Sequence, residues 1–245
     1  MKTRLALLAA ASLWSFAAQA DTLVVGVEDI NYYPFYKTEN GNYAGFAREL
    51  LDAFAAKYKH TITYKPMDIP SLFNALLDGK DIDAKFPDNA HWNKEKRTGK
   101  TITYSAPVVN VTEGLMVPPD AVGKGMDAVK KVGTVRGFTP WPLQDAIKSK
   151  AITMTEANSF STLVKMGTIK QVDAIYISPT IGNYQLTEVF KSPGLLKYDK
   201  SLPNTQSGYS LSSTKNPALV AQFDEFLKQE KDLVAKLRAK YAITE

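Results

Sequence analysis

Short apolar runs alternate along the chain with longer stretches in which apolar residues recur every three or four positions. Leu23 to Val27 is β-branched and aliphatic, the pattern of a buried strand. The chain then becomes polar and aromatic at Glu28, Asp29, Tyr32, Tyr33, Pro34 and Phe35. Asn40-Gly41 predicts a tight turn between short extended pieces, because both residues tolerate positive φ. Phe46, Leu50, Leu51, Phe54 and Tyr58 follow at helical spacing, with Arg48, Glu49, Asp52 and Lys57 between them. Acidic and aromatic groups therefore collect just beyond the carboxyl end of a strand, where open α/β sheets bind ligands.

The pattern has a faint internal echo. Residues 72–86 (LFNALLDGKDIDAKF) and 162–177 (TLVKMGTIKQVDAIYI) each join a helical apolar pattern, a glycine and an Asp-Ala pair leading into a short strand. Gly79 and Gly167 are expected to cap the two helices. Two such units predict two α/β lobes rather than one long sheet. Val132 to Val135 starts afresh as a strand, running into the Gly/Pro-punctuated loop of residues 136–142 and a helix from Leu143. Phe223, Phe226, Leu227, Leu233, Val234, Leu237 and Tyr241 predict one terminal helix.

The first twenty residues stand outside this pattern. Lys2 and Arg4 precede an apolar stretch from Leu5 to Ala18, and Ala18-Gln19-Ala20 has the small residues of a cleavage site. These features predict a signal peptide over 1–20, since the run is shorter than the roughly 20 residues that span a bilayer. Export to the periplasm, free of a lipid anchor, is expected. The chain has no cysteine, which removes a thiol nucleophile, a lipidated cysteine and any Cys-based metal site. The formal charge of +5 comes from Lys and Arg scattered among acids, so no nucleic-acid role is expected. His60 and His91 lack metal-ligand spacing, and neither a metal nor a cofactor is expected.

At this level of detail the chain resembles the periplasmic solute-binding proteins of the polar amino-acid ABC-importer family, the two-lobed receptors of the type II periplasmic-binding fold. The likeness runs from Asp21 to Ala242. It rests on the opening strand with its Pro-Phe loop and Gly45-Phe46 helix entry, and on the helix before Asp83-Ala84. Lys94 to Arg97 followed by residues 102–107 (ITYSAP), residues 132–139 (VGTVRGFT) and residues 171–179 (QVDAIYISP) complete it. The resemblance implies an α/β fold in which each lobe is a mixed sheet flanked by helices. Lobe one would comprise residues 21–107 and 208–245, lobe two residues 108–207, with crossings near Val108–Glu113 and Thr205–Gly208.

The resemblance also implies a site. Arg97 matches the arginine that grips a ligand carboxylate, although an insertion of about three residues lets Lys96 compete for that position. Asp29 and Tyr32 match lobe-one ligand contacts. Asp88 and Asn89 replace a Gly-x-Thr region whose backbone and hydroxyl touch ligand. Arg136 and Thr139 lie in the contacting loop of lobe two. Ser178 stands where the family commonly carries the aspartate that pairs with the ligand ammonium, and it supplies no charge.

The implied function is capture of a small polar, amino-acid-like or carboxylate-bearing metabolite by hinge closure. A monomer would then deliver it transiently to a membrane ABC permease. Two alternatives share the scaffold. One is an enzyme resembling cyclohexadienyl dehydratase, for which no catalytic motif is present; the other is a ligand sensor presenting to a membrane receptor.

Overall fold

Alternation of buried and exposed positions fixes β1 (Thr22–Glu28), where Leu23, Val25 and Val27 all face inward. The computed structural model describes residues 21–243, so the expected signal peptide lies outside the described residues. After β1 come β2 (Asn31–Tyr32), β3 (Tyr36–Glu39) and β4 (Asn42–Ala44), a small antiparallel sheet. Asn40 and Gly41, both at positive φ, make its second turn, as the sequence predicts. Then follow α1 (Phe46–Tyr58), β5 (Thr61–Met67) and α2 (Ile69–Asp78). Asp68 caps α2 by accepting the Ser71 amide at 3.0 Å, and Gly79 ends it in the left-handed region.

β6 (Ala84–Asp88), β7 (Thr103–Tyr104) and the long β8 (Val109–Val117) lead into the middle of the chain. That part contains β9 (Lys131–Val135), α3 (Gln144–Lys148), β10 (Thr153–Ala157), α4 (Phe160–Thr168), β11 (Ala174–Ile177), α5 (Pro179–Tyr184) and β12 (Lys197–Tyr198). β13 (Thr205–Ser213), α6 (Pro217–Gln229) and α7 (Lys231–Lys240) close the chain.

The main sheet runs in the order β10-β9-β11-β8-β13-β6-β1-β5, with β12 beside β8 and β7 beside β13. Its two halves meet along β8 and β13. Val109–Glu113 pairs antiparallel with Thr205–Tyr209, the segments expected to cross between lobes. Beyond this ribbon β8 continues against β11 and β12, while β13 continues against β6 and β7. The parallel pairs β1–β5 and β1–β6 form one half, and β9–β10 and β9–β11 the other. One apolar core reaches across both halves through Tyr32, whose ring meets Phe35, Tyr36 and Tyr209 on one side and Phe138 and Phe160 on the other. Among the described residues no helix is long and apolar enough to cross a membrane.

Two expectations are corrected. Gly167 lies inside α4 and caps nothing; a Cβ there would meet Leu196 at 2.8 Å, so the glycine permits close packing. The terminal helix is two helices that break at Glu230. The apolar series jumps from Leu227 to Leu233, and an unbroken helix would carry Leu233 roughly 240° around from Leu227 at 3.6 residues per turn. The break restores Val234 and Leu237 to the core.

Gly208, in the crossing ribbon, has the tightest backbone approach to a rigid neighbour. A Cβ there would fall 2.3 Å from the Pro107 Cβ. Gly208→Ala is expected to lower stability by about 1–3 kcal/mol through overpacking, read as a fall in the urea midpoint at unchanged slope.

Candidate functional site

The carboxyl ends of β1, β6 and β9 converge on a recess between the two sheet halves. Its empty volume, counted together with the open solvent at its mouth, is about 350 Å³. One side carries Glu28 from the end of β1, Ile69 and Phe73 from α2, Lys85 from β6, and Trp92 and Asn93 from the following loop. The other carries Gly137, Phe138 and Thr139, from the loop after β9. The two sides nearly touch. A Cβ on Gly137 would lie 2.9 Å from the Ile69 Cβ, and Gly137 holds φ +87°, so glycine is needed there for both reasons. A wider mouth lies outside, where Lys94, Glu95, Lys96 and Lys148 surround solvent and His91 stacks on Trp141 with ring centroids 5.2 Å apart.

Four buried charges form the floor and its support. Lys85 is 1% exposed and Asp88 fully buried. Lys85 Nζ donates to Asp88 Oδ1 at 3.2 Å and to the Pro87 carbonyl, stands 3.9 Å from Glu28 Oε1, and lies 5.2 Å from the centre of the Trp92 ring. Arg97 closes on Asp88 from below with both arms of its fork, at 2.8 and 3.1 Å. Its Nε donates to the Trp92 carbonyl at 2.7 Å, and the guanidinium lies 4.5 Å over Phe73. Arg97 thus props the two rings that wall the recess.

Burial acts on both acids with different outcomes. It pushes the Asp88 carboxyl up, but Lys85 and Arg97 outweigh it and hold the group below its ordinary 3.8. At Glu28 burial wins over Lys85 and the Tyr36 hydroxyl, and the carboxyl sits above its ordinary 4.5. Tyr104, which shares Arg97, is pushed up to about 12 by burial and by Asp88.

The residues singled out from the sequence are dispersed around this recess. Thr139 lines it. Asp88 and Arg97 lie beneath it and are paired to each other, so the Arg97 fork is not open to a ligand carboxylate in this conformation. Tyr32 belongs to the bridging aromatic core, with its hydroxyl 3.5 Å from Glu113 of β8. Asn89 ties the loop to the ribbon, donating to the Gly208 carbonyl at 2.9 Å. Asp29 is exposed, and its backbone amide donates to the Met67 carbonyl. Arg136 is also exposed, at 3.9 Å from Glu156, and does not line the recess. Ser178 is fully buried before α5, and its hydroxyl has no hydrogen-bond partner among the described residues. Glu28 enters the sequence reading only among the acids beyond the first strand, and Lys85 is missed as a polar group of the recess. A lysine inside the otherwise apolar strand of residues 84–87 was the available signal.

Comparison with known proteins places this arrangement. The family model of the bacterial extracellular solute-binding proteins, family 3, matches residues 23–244. The chain belongs to that family. Solved structures similar to this solute-binding protein include the glutamate-bound ligand-binding core of GluR0, at 19% identity and TM-score 0.72, covering 90% of this chain and 97% of that one. An arginine third transport system periplasmic binding protein from Legionella pneumophila shares 16% identity at TM-score 0.71, covering 91% and 100%. An ancestral amino acid-binding protein, described as a precursor of cyclohexadienyl dehydratase, shares 19% at TM-score 0.68, covering 90% and 95%. At these identities the likeness is one of fold, that of the type II periplasmic-binding proteins. No curated protein matches the chain.

Removing Arg97 strands Asp88 as a buried, half-compensated charge. Arg97→Ala is expected to cost about 3–5 kcal/mol of stability, measured by chemical denaturation of ligand-free protein. The raised Glu28 carboxyl makes the folded state hold a proton that the unfolded state has released, so its contribution falls as pH rises above about 4.5. Denaturation of Glu28→Gln and wild type across pH 4 to 8 should show the difference moving in favour of the variant as pH rises. A flat difference would contradict the assignment.

Proposed function

We propose that this protein is a periplasmic receptor that captures a small polar, amino-acid-like or carboxylate-bearing solute in the recess. Residues 21–107 with 208–245 form one lobe and residues 108–207 the other, and they close over the ligand about the β8–β13 ribbon. The closed form is then delivered to an ABC importer. One observation carries the reading: a single recess takes its walls from both sheet halves, with Gly137 set against Ile69. A ligand that touches both walls binds the closed arrangement better than the open one, and only such a difference can shift the equilibrium between them. Family membership supports solute binding. Thr139 and Phe138 supply the contacts from lobe two. Ser178, uncharged, leaves any ligand ammonium to be matched from lobe one.

A dehydratase-like activity is the second reading, and Glu28 is the observation that favours it. A buried carboxyl with a raised pKa at a recess is the kind of group that serves as a general acid.

Native mass spectrometry of freshly purified protein is expected to show one retained small molecule. Thermal shift and calorimetry on protein refolded free of it should show stabilisation by polar metabolites. Consumption of prephenate without stabilisation by any metabolite would replace the receptor with the enzyme. Beyond the expected leader, the tryptophans are Trp92, in the recess, and Trp141, at its mouth. Ligand should therefore perturb intrinsic fluorescence, and Trp92→Phe should remove most of the change.

A further inference from the structure

The recess meets its ligand with Lys85 and Glu28, and this distinguishes the chain from the Arg97-anchored site implied by resemblance. We infer that Lys85 and Glu28 are the polar specificity determinants, and that they select a ligand of zero net charge carrying an anionic acceptor, a cationic donor and an apolar body. The inference rests on the receptor reading above.

Hydrogen-bond capacity is the first argument. An ammonium has three donors. Two of Lys85's go to Asp88 and to the Pro87 carbonyl, and Glu28 Oε1, at 3.9 Å, is too far to take the third. Glu28, a residue of the recess wall, accepts from the Tyr36 hydroxyl through Oε2, and its Oε1 has no hydrogen bond among the described residues. One unfilled donor and one unfilled acceptor thus line the same recess. A carboxylate on Lys85 and an ammonium on Glu28 would complete both.

Charge is the second argument. Glu28, Asp88, Lys85 and Arg97 cancel when all are ionised, and all four are at most 8% exposed. A ligand with net charge, enclosed there, would bring an uncompensated charge out of water, which is costly. A zwitterion brings none. The remaining walls, Ile69, Phe73, Trp92 and Phe138, favour an apolar side chain over a charged one. Lys94, Lys96 and Lys148 stand at the solvated mouth, where water screens them.

The test uses refolded, ligand-free protein and calorimetry with eight probes: L-leucine and L-phenylalanine, the amine and the acid left when each loses its carboxyl or amino group, L-arginine and L-glutamate. At least one of the two neutral amino acids should bind at least about tenfold tighter than its own amine and acid, and than arginine and glutamate, because each misfit leaves a buried polar group unpaired. Glu28→Gln should shrink the preference for amino acid over acid by about tenfold, and Lys85→Gln the preference over amine by a similar factor. These ratios separate contact from stability, since general destabilisation weakens all probes alike. Unchanged ratios, or arginine or glutamate binding as tightly as the neutral amino acids, would overturn the inference and leave the receptor standing. So would a co-purified molecule that stabilises the protein while all eight probes fail. If no small molecule binds at all, the receptor reading itself falls.

Discussion

The pairing of Asp88 with Arg97 and Lys85 is the interaction on which the ligand side of this molecule depends. A carboxylate with no exposed surface, at the end of a central strand, survives as an anion because two cations surround it. Each cation also does a second job. Arg97 carries the Phe73 ring and the Trp92 backbone, while Lys85 passes through to the recess and faces Glu28. Position and charge of the recess floor therefore come from one buried cluster. Well-packed apolar residues in place of such a buried quartet often cost no stability, but they would leave the recess without polar groups.

The crossing ribbon is the complementary constraint. β8 and β13 are each shared between the two sheet halves, and their mutual pairing is the join. Asn89 connects that join to the floor, since it follows Asp88 directly and donates to Gly208. Tyr32 connects the same region through its ring contacts and the Glu113 carboxylate. Crossing ribbon, aromatic core and recess floor are thus within a few residues of one another along β6, β8 and β13.

Much of the architecture was legible in the sequence because it follows from periodicity and turn chemistry. The β1 run, the Asn40-Gly41 turn and the Gly79 cap announce themselves locally, whereas the crossing segments are implied only by resemblance to the family. Gly167 and the broken terminal helix were not legible, since both depend on what packs against them: Leu196 in one case, the phase of the apolar face in the other. The site was harder still. Arg97 looks like an open guanidinium until Asp88 is seen to fill its fork, nine residues away in sequence but in direct contact in space. Lys85 reads as an ordinary lysine because burial cannot be inferred from a single residue type. Asp29 and Glu28 are neighbours, and alternation from Leu23, Val25 and Val27 favours Asp29 for the inward face, yet Glu28 is the one buried, because the opposite face of β1 is covered as well.

The discontinuity of the first sheet half bears on the order in which the chain acquires structure. β6 gains its neighbour β13 only after more than a hundred intervening residues, and α7 packs on α1 from nearly the opposite end of the sequence. The second half, from β9 to β12, is contiguous and can assemble from local contacts. During vectorial emergence from a pore or ribosome, the contiguous half can therefore form first, while β1, β5 and β6 wait with one edge open. Completion of the binding protein is then set by the arrival of its last forty or so residues, and the late contacts across β6–β13 should dominate its folding rate.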